Sequence, residues 1–274
     1  MPQRALPFPV WPSIVALAPR ERSRELLKRA FPRRRGMLLL ARGVSEFMGA
    51  FRRGLVDAAV VDVASPTDDT WKAVKLARDY PSVPFFALAP MRLADGGALA
   101  RCAEMDFTDL LADGMDDAAL RELVVPQGFS ARFAEALHDA HRSLGLVTPM
   151  QERAWRAVVA PGGRTVRTEG IAAQLHVTRE HLSRSFAISG SPNLKRIIDL
   201  VRLIAAAELA KNPGYDASDV AHVLGFASPS HLTSTAMRIL GTRSASLARL
   251  RTGDLIERFR EGRGRSRKKP VPES

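Results

Sequence analysis

Five short apolar runs punctuate the first part of the chain, at residues 13–18, 37–41, 58–63, 84–89 and 108–112. Each has the length of a strand and is apolar on both faces, as a buried strand must be. Amphipathic stretches alternate with them at 21–30, 45–53, 70–79 and 96–105, and a fifth follows at 116–124. Five such β-α units predict a parallel sheet with helices on both faces. Pro126-Gln127-Gly128 then breaks the pattern. Residues 129–144 predict one more amphipathic helix, with Phe129, Phe133, Leu137 and Ala140 on one stripe and Gly145 ending it. The stripe reads first as packing against either domain and second as a dimer contact.

The second half changes period and repeats itself. Ile171-Ala172-Ala173-Gln174-Leu175 leads through a short break to Thr178, Arg179, Glu180, His181 and Leu182. Val220-Ala221-His222-Val223-Leu224 leads through Gly225, Phe226 and Ala227 to Ser228, Pro229, Ser230, His231 and Leu232. Both copies read Ala-x-x-Leu, a break, Thr or Ser, two residues and His-Leu, and the second break is one residue longer. This is the layout of a helix-turn-helix. The small Ala lets two helices cross closely, and Gly225 suits a tight turn. Thr178 and Ser228 are natural N-caps, with Pro229 at a first helical position.

A long helix should join the copies. Ser191 is its expected cap, Pro192 its opening and Asn212-Pro213-Gly214 its stop. Leu194, Ile197, Ile198, Val201, Leu203, Ile204, Ala207 and Leu209 give it a broad apolar face. Twenty helical residues span roughly 30 Å, close to the roughly 34 Å of one DNA turn. Two recognition helices joined this way fit successive major-groove segments.

Residues 148–252 resemble the AraC/XylS-type DNA-binding domain of bacterial transcription regulators. The resemblance rests on Ile171-Ala172…Leu175, His181-Leu182-Ser183-Arg184-Ser185-Phe186, Arg202-Leu203…Ala206-Ala207…Leu209, and Val220-Ala221…Leu224-Gly225-Phe226…Ser228-Pro229-Ser230-His231-Leu232. Two departures stand out. His231-Leu232-Thr233-Ser234-Thr235-Ala236 replaces the family's His-Phe-x-Arg-x-Phe, and Gly241-Thr242-Arg243-Ser244 replaces Gly-x-Thr-Pro. The second motif thus lacks an Arg and an aromatic. The resemblance implies double-stranded DNA as partner.

Residues 12–125 are similar to the receiver domain of response regulators, on the order of elements and on residues 57–63, 83–88 and 106–111 as third, fourth and fifth strands. The receiver's chemistry transfers only at one point. Asp62 stands where the resemblance places the phosphoacceptor. Leu17, Ala18 and Pro19 replace the acidic pair that holds magnesium, Ala89 replaces the hydroxyl, and Asp113 replaces the Lys. A pseudo-receiver is expected, with Asp62 a vestigial phosphoacceptor acting as a strand-end cap or polar contact. A phosphoryl group there should meet little positive charge. Control should come through dimerisation, a regulatory protein or a small ligand at this domain.

Charge agrees with that division. The chain holds 41 Lys and Arg against 29 Asp and Glu, a net +12. Residues 1–125 hold 18 basic and 16 acidic residues, net +2, whereas 126–274 hold 23 and 13, net +10. Basic side chains displace counterions from phosphates, so binding should depend on salt. Arg258, Arg260, Arg263, Arg265, Arg267, Lys268 and Lys269 lie among Gly and Ser without apolar periodicity, which predicts a disordered tail. The single cysteine, Cys102, precludes an internal disulfide and reads as buried filler in a helix.

The first residues, with Arg4, Pro7, Pro9 and Pro12, lack a signal peptide's apolar core, and no run reaches membrane-spanning length. A cytoplasmic location is expected. His138 and His141 share a helix face without further ligands nearby, so no metal is expected. No phosphate-binding glycine loop and no catalytic constellation stand out, so neither a cofactor nor an enzymatic activity is expected.

The expected architecture is an α/β domain at 1–127 with a five-stranded parallel, flavodoxin-like sheet, a linker helix at 128–147, an all-α double helix-turn-helix at 148–252 and a tail at 253–274. The expected DNA contacts are Thr178, Arg179, His181, Arg184 and Ser185 in the first motif, and Ser228, Ser230, His231, Thr233, Ser234 and Arg238 in the second. The competing class is a degenerate regulator that serves as a protein-interaction module with weak or nonspecific DNA binding.

Overall fold

The computed structural model describes residues 12–90, 96–188 and 191–266. The expectations for Arg4, Pro7 and Pro9 and for Arg267, Lys268 and Lys269 fall outside them. The described residues divide into two compact units: an α/β unit within residues 12–132 with 212–223, and a helical unit within 133–211 and 224–266.

In the α/β unit, strands β1 (Ser13–Leu17), β2 (Met37–Ala41), β3 (Ala58–Asp62), β4 (Phe85–Ala89) and β5 (Asp109–Ala112) form one sheet in the order β2-β1-β3-β4-β5. All neighbours are parallel. Helices α1 (Glu21–Ala30), α2 (Val44–Arg53), α3 (Asp68–Lys75), α4 (Gly96–Ala103) and α5 (Asp117–Gln127) alternate with them. This is the flavodoxin-like strand order. The central strands β3 and β4 are buried at every residue, which is why their sequences run apolar without alternation. Ile14, Val60, Phe86 and Leu111 pack with Leu27 of α1 and Leu120 of α5 in one core cluster. Phe47 and Phe51 of α2 gather round Phe85, with ring centroids 6.2 and 5.8 Å away. Cys102 is buried in α4.

Two helix ends differ from expectation. Helix α3 tightens into a 3-10 turn over Leu76–Arg78. Helix α5 runs through Pro126 to Gln127, because a proline in the last turn forfeits only one helical hydrogen bond. Just before β3, the buried Asp57 carboxylate accepts from Ser13 N at 2.7 Å and Ser130 N at 2.9 Å. It ties the start of β1 to the segment leaving α5.

The α/β unit also holds residues 212–223, which include helix α12 (Ala217–Val223). Asn212 Oδ1 accepts from Ser82 N at 2.8 Å, Gly214 N donates to Asp79 O at 2.8 Å, and Tyr80 Oη donates to Gly214 O at 3.1 Å. Tyr215 meets Tyr80 edge-on at 4.8 Å, and Tyr80 stacks on Phe51 at 4.3 Å. Burial pushes the Tyr215 phenol well above its ordinary pKa, with Tyr80 and Asp219 adding to the effect.

Helix α6 (Phe129–Ala136) starts in the α/β unit, and the helical unit holds its last residues, α7 (Ala140–Ser143), α8 (Pro149–Val159), α9 (Thr168–Gln174), α10 (Arg179–Ile188), α11 (Leu194–Leu209), α13 (Pro229–Leu240) and α14 (Thr252–Ser266). The single helix expected over 129–144 relaxes into a turn at 137–139. There the Leu137 carbonyl accepts from the indole of the fully buried Trp155 at 2.9 Å. The cap of α11 is Asn193, which accepts from Arg196 N at 2.9 Å. Ser191, the expected cap, instead accepts from Gln151 Nε2 at 2.6 Å. The tail expected to be disordered is helical to Ser266, because Leu255 and Phe259 are buried, at 0% and 1% exposure. Two apolar residues four apart suffice to dock one turn of helix, even in a basic sequence.

Gly163 has φ +86°, and a Cβ there would overlap the Ala205 side chain on α11. Gly163→Ala should therefore destabilise the helical unit by about 1–3 kcal/mol through strain and overpacking. Chemical denaturation of wild type and variant checks the shift in midpoint.

Candidate functional site

The first helix-turn-helix is α9, a turn and α10. His176 takes φ 57° at the turn, so a non-glycine residue makes the bend that Gly225 makes in the second copy. Thr178 Oγ1 caps α10 by accepting from His181 N at 3.1 Å. Ile171, Ala172, Leu175, Leu182 and Phe186 are buried, as the repeat requires. With 3.6 residues per turn, Glu180 and Arg184 lie opposite Leu182 and Phe186. Both are exposed.

Arg184 has no ion pair among the described residues. Arg179 sits to one side and pairs with Glu169 at 3.3 Å. Ser185 is only half-buried and donates to Leu182 O at 2.7 Å, so it faces its own backbone. His181 is exposed beside Arg184.

The second recognition helix, α13, begins as its sequence predicts. Ser228 Oγ accepts from His231 N at 3.1 Å, with Pro229 at the first helical position. Gly225 has φ +69°, and a Cβ there would overlap Thr165 Oγ1. The turn is held from α11: Arg202 donates to Leu224 O at 3.0 Å and lies 3.9 Å over the Phe226 ring. Burial lowers the Arg202 pKa, while the Asp199 charge opposes that fall.

The predicted contacts on α13 are placed less favourably than those on α10. Arg238 donates to Asp199 Oδ2 at 2.9 Å. Thr233 Oγ1 donates to Pro229 O at 3.1 Å and shares a 2.6 Å hydrogen bond with Ser244 Oγ. Ser234 Oγ donates to His231 O at 3.1 Å. His231 Nδ1 accepts from Ala227 N at 3.3 Å, and its ring meets Phe226 edge-on. Ser230 is exposed. Sequence reasoning passed over Met237, which is 50% exposed in the last turn of α13. Its helical position opposite Leu232 and Ile239 was the signal available.

In the α/β unit, Asp62 ends β3 with its side chain fully buried. Arg20, three residues after β1, reaches it through Nε at 3.0 and 2.8 Å to the two carboxylate oxygens. Arg20 also donates to Asp113 Oδ2 at 2.6 Å, and Arg22 pairs with Asp113 at 3.1 Å. Ala64 N donates to Asp62 Oδ1 at 3.1 Å, the strand-end cap expected from the sequence. The expectation that a phosphoryl group at Asp62 would meet little positive charge is overturned by Arg20, which already stands there. Burial pulls the Arg20 pKa down, but the hydrogen bonds and charges of Asp62 and Asp113 outweigh it and hold the guanidinium above its ordinary value.

Among the described residues no three His, Cys, Asp or Glu side chains cluster for a metal. His141 is buried with Nδ1 2.9 Å from His138 O. Burial raises the Cys102 pKa, against the nearby charge of Arg101. No described helix is long and apolar enough to cross a membrane.

Residues 171–249 match the family model described as a helix-turn-helix domain. No curated protein matches the chain. Among solved structures, full-length FixJ from B. japonicum shares 13% identity over 73% of this chain and 97% of its own, with a TM-score of 0.37. A response regulator protein from Burkholderia pseudomallei with a phosphorylated aspartic acid shares 14% over 63% and 97%, at 0.34. The response regulator StyR shares 14% over 70% and 98%, also at 0.34. At such scores it is the strand order and the motif that define the architecture. Residues 171–249 form an AraC-type helix-turn-helix domain, on a chain whose other unit is a five-stranded parallel α/β domain of flavodoxin-like strand order.

Proposed function

We propose that the protein is a sequence-specific transcription regulator that reads the DNA major groove with α10 and α13, under a receiver-like domain that works without aspartyl phosphorylation. The observation that carries the reading is the pair of side-chain-capped helices, each with its outer face exposed, joined in sequence by α11. The 16 residues of α11 span about 24 Å. On α10, Arg184 is the base or phosphate contact, with Arg179 released from Glu169 as a flanking one. The +10 charge of the C-terminal half supplies the nonspecific attraction.

The pair between Arg20 and Asp62 supports phosphorylation independence. A guanidinium already satisfies both carboxylate oxygens, and none of the receiver's magnesium carboxylates, hydroxyl or Lys is present. Regulatory input then enters as dimerisation, a partner protein or a small ligand at the C-terminal ends of the strands, where open α/β sheets form a crevice. The second reading, a protein-interaction module with weak DNA binding, draws on α13, whose Arg238, Thr233 and Ser234 bond within the protein.

Footprinting of the full chain on its own promoter DNA should show a protected site whose affinity falls steeply with salt. Absence of any protected site, with binding indifferent to salt, would establish the interaction module instead. On that site Arg184→Ala should cost about 1–3 kcal/mol if the contact is bidentate to a base, and more than Arg179→Ala. A titration ranking them in reverse would move the centre of contact to the flank of α10. Incubation with acetyl phosphate and magnesium should leave the intact mass unchanged. An adduct lost in Asp62→Asn would show that Arg20 does not block the carboxylate.

A further inference from the structure

The line of α13 that points away from the core is Ser230, Ser234 and Met237, at helical spacing i, i+4 and i+7. It lies opposite the buried Leu232, Ala236 and Ile239. Met237 is half exposed at the C-terminal end of this line. Apart from Ser230 at the start of the helix, the polar side chains nearest it bond within the protein. Ser234 donates to His231 O, Thr233 is shared between Pro229 O and Ser244 Oγ, and the Arg238 guanidinium is drawn aside to Asp199. The two recognition helices therefore present different chemistry: α10 offers a guanidinium without an ion pair among the described residues, at the centre of its outer face, and α13 offers a thioether.

We infer that α13 reads its half of the site through Met237, by apolar contact with the C5-methyl group of thymine, rather than through hydrogen bonds to base edges. This deepens the DNA-binding reading and rests on it. In the major groove the thymine methyl is the one apolar mark among the base edges, and it is absent from cytosine and from both purines. An unbranched, polarisable side chain adapts its rotamers to that methyl. Asp199 serves this role indirectly by keeping Arg238 off the reading line.

The test uses the full chain on the footprinted site. Each dT in the half protected by α13 is replaced by deoxyuridine, which removes the methyl and keeps the pairing edge. At one or two positions the wild type should lose about fourfold in affinity, the worth of one buried carbon group. Met237→Ala should lose a similar factor on the native site and become indifferent to the replacement. Met237→Leu should retain the preference for dT. Because the side chain is half exposed, these variants should melt as the wild type does. Equal sensitivity of wild type and Met237→Ala to methyl removal, or no sensitivity at any dT, would overturn the inference while leaving DNA binding intact. Failure to find any protected site would instead remove the DNA-binding reading on which it rests.

Discussion

Helix α11 has to be covered on every side. From Ile197 to Ala207 each residue is buried, so no face is left for water, and the helical unit is built around it. A helix apolar all round is a core element rather than a surface one. The polar residues that remain on it, Asp199 and Arg202, are then forced to find partners inside the protein. Arg202 takes the Leu224 carbonyl and the face of Phe226, which fixes the turn of the second helix-turn-helix. Asp199 takes Arg238 and so sets which side chains α13 shows to the outside. The outer face of the second motif is thus a consequence of satisfying two ionisable groups on a buried helix.

A comparable constraint governs the sheet's C-terminal edge. Asp62 and Asp113 are two buried acids at the ends of β3 and β5, and together they would repel. Arg20 bridges them, and Arg22 adds a second cation on Asp113. Removing one partner of such a buried set leaves an uncompensated charge that costs about 3–5 kcal/mol. The arrangement therefore persists as a whole, and it neutralises the carboxylates with protein charge where a receiver uses a metal ion and a lysine.

Much of this was legible in the sequence because it depends on local periodicity. The five strands, the alternation of helices, the two caps Thr178 and Ser228 and the left-handed turn at Gly225 all follow from neighbours a few residues apart. The buried positions of the repeat, Ala172, Leu175, Ala221 and Leu224, follow from the same spacing. The losses from the receiver pattern at 17–19, 89 and 113 were equally plain, since they are identities at fixed places along strands.

What periodicity could not reveal was pairing across long separations. Arg20 reaches Asp62 across 42 residues and Asp113 across 93. Residues 212–223 belong to the α/β unit because Tyr80 and Tyr215 meet across more than a hundred positions. Helix α14 forms in a basic segment because Leu255 and Phe259 find a core. The outward line of α13 is apolar at Met237 only because Asp199 holds Arg238 and the hydroxyls fold back on their own helix. The sequence by itself determined most of the elements and where the basic side chains stand along them. The tertiary structure decided which of those charges are already spent, because a charge is neutralised by whatever the fold brings within a few ångströms of it, whatever the distance along the chain.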